Sequence, residues 1–76
     1  MKTTLDHDAL QALQEAGALR ELRAIRRAPG WQLQARLATR WLDVRSRREP
    51  VRIWGSLDSL AKFCDALGVR CLSVEL

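Results

Sequence analysis

Arginine is the residue type through which this chain could act. Ten arginines lie between Arg20 and Arg52, against only Glu21, Asp43 and Glu49. That window has a surplus of seven positive charges while the whole chain is +4, so the flanking segments are acidic. A segregated positive field attracts polyanions. The guanidinium fork grips phosphate and reads guanine, glutamine pairs with adenine, and tryptophan stacks on unpaired bases. Arg36, Arg45, Arg47, Arg48, Arg52 and Trp54 are therefore the candidate nucleic-acid contacts, with Gln32, Gln34 and Trp41 interleaved among them. The plain alternative is a solvated basic face with Trp41 or Trp54 folded over a sheet edge. A GC-rich genome also raises arginine over lysine without any function attached.

Catalytic and metal chemistry have little to stand on. His7 is the sole histidine and lies between Asp6 and Asp8. Such a triplet could chelate a divalent ion, but it also reads as the start of a helix. Cys64 and Cys71 lack the spacing and histidine partners of a zinc site. No phosphate-cradling glycine loop is present, and the carboxylates show no paired pattern. The expectation is a protein that is not an enzyme and uses no cofactor and no metal.

These side chains need elements to position them. Asp6 is a plausible N-cap, Leu10 and Leu13 form a narrow apolar stripe with Ala9 or Ala16, and Gly17 is a natural stop. The next segment, 18–27, is open. Leu19, Leu22 and Ile25 fit a continued helix with Gly17 inside it, whereas a strand over 20–27 would end in a type II turn at Pro29-Gly30. After Gly30 the period becomes two. Trp31, Leu33, Ala35 and Leu37 alternate with Gln32, Gln34 and Arg36. Leu42 and Val44 alternate with Trp41, Asp43 and Arg45 in a second run. Val51 and Ile53 alternate with Arg52 and Trp54 in a third. Ser56 then caps a helix whose face is Leu57, Leu60, Ala61, Cys64 and Leu67, with Gly68 and Val69 closing it. Residues 70–76 alternate again, with Leu72, Val74 and Leu76 on one side. The pattern predicts an α+β fold. It is an antiparallel sheet, a meander plus a carboxyl-terminal strand, with an amino-terminal helix and a helix at about 57–67 packed on one face.

The order of several short pieces carries a resemblance. Ala16-Gly17-Ala18-Leu19-Arg20 is followed by Gly30-Trp31, Arg45-Ser46-Arg47 and Val51-Arg52-Ile53-Trp54. Ser56-Leu57-Asp58-Ser59-Leu60 and Leu67-Gly68-Val69 complete the series. From about Ala16 onward the chain resembles small ParC-type partition-associated proteins of bacterial plasmids and integrative elements. The resemblance implies a strand after Arg20 and a role beside partition of a mobile element. It transfers no chemistry to any residue. At Thr39-Arg40-Trp41 the chain departs from the more polar, glycine-containing link usual in that family.

Size and composition bound the rest. Seventy-six residues read as a single small domain spanning 1–76. Such a chain buries roughly 60–65% of its unfolded surface, so its stability is marginal or shared with a partner. A hydrophobic content of 47% argues against disorder. No signal peptide or membrane span is legible, and two cysteines make no disulfide framework, so a cytoplasmic location is expected. The function expected is that of an accessory protein of partition or maintenance, touching DNA through an arginine-rich sheet face. The alternative is a protein-interaction module, for dimerisation or as an adaptor, with no direct nucleic-acid contact. Expected partners are DNA, a protein of the partition machinery, and a second copy paired along the strand at 70–76.

Overall fold

The computed structural model describes residues 4–76; residues 1–3, on which the expected absence of a signal peptide partly rests, lie outside the described residues. Among the described residues seven elements follow one another. They are β1 (Thr4–Leu5), α1 (His7–Glu15), β2 (Glu21–Arg27), β3 (Gly30–Leu37), β4 (Arg40–Val44), α2 (Leu57–Ala66) and β5 (Ser73–Glu75). The strands form one sheet in the order β1-β4-β3-β2-β5.

The helices begin and end where their chemistry predicts. The Asp6 carboxylate accepts the Ala9 N–H at 2.8 Å, and the Ser56 hydroxyl accepts the Ser59 N–H at 3.1 Å. Each cap satisfies a donor that the first helical turn leaves unpaired. Gly17 and Gly68 take φ of +72° and +86°, the left-handed conformation that closes a helix. The Val69 N–H then reaches back to the Cys64 carbonyl at 3.0 Å.

The open segment 18–27 is settled as a strand over Glu21–Arg27. In a helix, Leu22 and Ile25 would share a face. As a strand the segment buries Leu22 and Ala24 and turns Arg23 and Ile25 to the opposite side. β2 needs this register because its neighbours Ala35 and Leu33 lie directly opposite Leu22 and Ala24.

The expected wholly antiparallel sheet is corrected to a mixed one. β3 pairs antiparallel with β2 and β4, but β1 pairs parallel with β4 and β5 parallel with β2. Each outer strand is joined to the chain through a helix, and a helical crossover is what parallel strands require. β1 itself was not foreseen, since two residues carry no periodicity.

Both hairpins also differ from expectation. Arg27 pairs with Gly30, so the β2–β3 turn is Ala28-Pro29, with a cis peptide bond, one residue earlier than Pro29-Gly30. Gly30 opens the strand, and the position admits only glycine because a Cβ there would collide with the Trp54 carbonyl and come within 2.8 Å of Ile53 Cγ2. Leu37 pairs with Arg40, so Ala38-Thr39 is the whole β3–β4 link, and β4 begins at Arg40, one residue before Trp41, which the alternation already places in that strand.

The third run, 51–54, is not a full strand. Trp54 makes one antiparallel bridge with Trp31, each N–H donating to the other's carbonyl at 2.8 Å. Its faces are the reverse of those expected: Trp54 is 5% exposed and joins the core, whereas Ile53 stays outside it. A shift of one residue in a strand exchanges every side chain between faces. The core therefore lies between the helices and one side of the sheet, centred on Leu10, Leu33, Val44 and Leu60.

Candidate nucleic-acid interface

The sheet face away from the helices is built from the residues that alternate with the core. β2 supplies Glu21, Arg23, Ile25 and Arg27; β3 supplies Gln32, Gln34 and Arg36; β4 supplies Trp41 and Asp43. One oxygen of Asp43 accepts from the side-chain amides of Gln32 at 2.9 Å and Gln34 at 2.8 Å. Gln34 in turn accepts from Arg23 Nε at 2.8 Å, and Gln32 accepts from Arg27 at 2.5 Å. Arg23 also lies over Trp41 and 3.6 Å from Glu75, while Arg36 pairs with Glu21 at 3.2 Å. Gln32 is 3% exposed, and both polar atoms of its amide have a partner, as buried polar atoms generally do.

This arrangement changes the electrostatics expected of the face. Arg23, Arg27 and Arg36 stand among Glu21, Asp43 and Glu75, so the face is balanced in charge. Its guanidinium groups already donate to neighbours in the sheet. Gln32 and Gln34 point outward as the alternation predicts, but their amides hold Asp43 in place.

Four of the remaining seven arginines of the window, Arg45, Arg47, Arg48 and Arg52, gather at one end of the sheet; Arg20, Arg26 and Arg40 lie elsewhere on the surface. Beyond β4 the chain makes a turn in which the Ser46 N–H donates to the Glu49 carbonyl at 3.1 Å. The Glu49 N–H donates back to the Ser46 hydroxyl at 3.0 Å. This pinned turn leaves Arg45, Arg47 and Arg48 exposed. Arg45, Arg47 and Arg52 line a cleft of about 320 Å³ whose other wall is Asp6, His7 and Asp8. Arg48 turns away, into a groove beside Arg27 and Ile53.

The six candidate residues thus do not share one face. Arg45, Arg47, Arg48 and Arg52 gather around the turn. Arg36 lies at the far end of β3, bonded to Glu21 and to the Ala38 carbonyl at 2.7 Å. Trp54 is buried, so the expectation that its ring lies on the outer face is corrected. Its ring packs against Phe63 at 5.1 Å between centroids and lies 4.5 Å from the Arg52 guanidinium carbon. Arg52 also stands 5.1 Å from the Phe63 ring, which fixes the direction of its charge. Arg23, Arg27 and Glu75 join the network unforeseen, because the first two fell in the segment open between helix and strand. Their alternation with Leu22 and Ala24 was the available signal.

Other reactive groups stand apart. His7 packs on Phe63 at 5.6 Å, and Asp6 is engaged as a helix cap. Burial pushes the Cys64 thiol up to about 11, whereas Cys71 is exposed. Among the described residues no three His, Cys, Asp or Glu side chains gather as a metal site needs, and no helix is long and apolar enough to cross a membrane. Comparison with family models, curated proteins and solved structures finds no match to this chain.

Proposed function

We propose that this protein contacts DNA through the arginine turn 45–52, as an accessory factor in partition or maintenance of a mobile element. The observation that carries the reading is the doubly bonded Ser46–Glu49 turn. It presents Arg45, Arg47 and Arg48 to solvent, whereas the arginines of the sheet face are held by acids and glutamines of their own fold. The three exposed guanidinium groups of this hydrogen-bonded turn suit phosphate oxygens, which fix position and carry no sequence information. The role beside partition rests on the resemblance of the chain from Ala16 onward, and a cytoplasmic location goes with it.

Titration of duplex and single-stranded DNA at several salt concentrations tests this. Each lost phosphate contact on duplex lowers the salt slope by about 0.9. Arg47→Ala and Arg48→Ala should each do so, and Arg23→Ala should leave the slope unchanged. Absence of binding to any DNA at low salt overturns the proposal.

A second reading, an interaction module with no nucleic-acid contact, is favoured by one observation. Among the described residues β5 pairs with β2 along one side and with no strand along the other, and Val74 within it is 44% exposed.

A further inference from the structure

We infer that the free edge of β5 is the seat of a second copy of this chain, joined antiparallel about a two-fold axis at Val74. The inference deepens the interaction-module reading and is independent of DNA binding.

The sequence of this edge is its own complement. In a symmetric antiparallel pair, residue i faces j and j faces i. Centred on Val74, Val74 meets Val74 of the second copy. Ser73 meets Glu75 of the second copy, and Leu72 meets Leu76. Parallel pairing with β2 sets Val74 on the side of buried Ala24. The helix side of the joint is then wholly apolar, Leu72, Val74 and Leu76 from each copy. The opposite side is Ser73 and Glu75 from each.

Charge does not oppose this pairing. Sheet edges are normally protected by lysine, proline, bulges or inward-pointing charge. Between Leu72 and Leu76 the only charge is Glu75, and Arg23 on β2 stands 3.6 Å from it. The backbone donors and acceptors along the free side gain strand partners, as in any β-augmentation.

The helix side also holds a receptacle. Leu72 lines a groove of about 340 Å³ together with Ala61, Cys64 and Val69, and Asp65 and Arg70, of opposite charge, complete its lining. Leu76 of the second copy, opposite Leu72, comes beside this groove. It thereby loses an exposure of 92% in the single copy. The same register thus supplies the strand pairing, the apolar stripe and the cover for the groove.

Light scattering and sedimentation over a concentration series are the first test, and a concentration-dependent dimer is expected. Val74→Lys should yield a folded monomer, since two ammonium groups would face each other across the axis. The register is read by cross-linking in a Cys71→Ser background. Val74→Cys should form a covalent dimer by itself under mild oxidation, because directly paired residues meet disulfide geometry. Ser73→Cys should cross-link strongly only when mixed with Glu75→Cys. A parent protein that stays monomeric overturns the inference. So does a dimer that survives Val74→Lys and gives no Val74→Cys cross-link. Loss of DNA binding without loss of the dimer overturns only the DNA reading.

Discussion

The Arg23 guanidinium lies over the Trp41 ring, its central carbon 3.9 Å from the ring centre, although β3 runs between their two strands. Arg23 reaches across the sheet and is held on its way by the Gln34 amide oxygen. A planar cation on an indole face contributes about 0.5–2 kcal/mol, depending on desolvation. Arg23 and Trp41 therefore form a clamp that ties β2 to β4 over β3. In a double-mutant cycle, Arg23→Ala and Trp41→Ala should be non-additive in denaturant unfolding by about 0.5 kcal/mol or more. Strict additivity would show that the stacking carries no energy.

Asp43 supports two amides on one oxygen. Asp43→Ala leaves the donors of Gln32 and Gln34 without their acceptor, and Gln32 has almost no access to water. The expected loss is about 1–3 kcal/mol. Asp43→Asn keeps a carbonyl oxygen in place and should cost less. Chemical denaturation of the two variants separates these outcomes, and equal losses would assign the effect to charge.

Ala38 sits in the two-residue β3–β4 turn with φ of +55°, a left-handed conformation that a Cβ disfavours by about 1–2 kcal/mol. Arg36 Nη1 donates to its carbonyl at 2.7 Å and helps hold it there. Ala38→Gly should raise the thermal midpoint by relieving that cost, less the extra freedom glycine gains when unfolded. A lowered midpoint would show that the turn carries no such strain.

Leu60 is fully buried where α2 meets the sheet. Leu60→Ala should cost about 2–5 kcal/mol, a large part of the stability of so small a chain. An unchanged melting temperature would refute the packing of α2.

Cys64 couples stability to pH. Its folded thiol holds a proton up to about 11, above the ordinary value of 9.0, because burial disfavours the thiolate. The contribution is therefore complete below pH 9.0 and is lost as pH rises from there to about 11, where the unfolded chain ionises first. The decline over this range should be shallower in Cys64→Ala than in the parent. In the native protein a thiol reagent should modify Cys71 at once and Cys64 only on unfolding.

Much of this molecule follows from local sequence. Asp6 and Ser56 as caps, Gly17 and Gly68 as stops, and the alternation through β3 depend on residues only a few positions apart. The clustering of arginines is also a property of the chain itself. Tertiary structure decided the rest. The segment 18–27 fits a helix by spacing, and Glu21–Arg27 within it became a strand because β3 offered Leu33 and Ala35 to Ala24 and Leu22. Trp54 changed sides because one bridge to Trp31 fixed its register, and a single residue of shift exchanges the faces. The outer arginines lost their surplus charge because Glu21, Asp43 and Glu75 were brought beside them from three different strands. Spacing reports which side chains share a face of one element. Which faces meet, and which charges cancel, is set by strand pairing across the sheet.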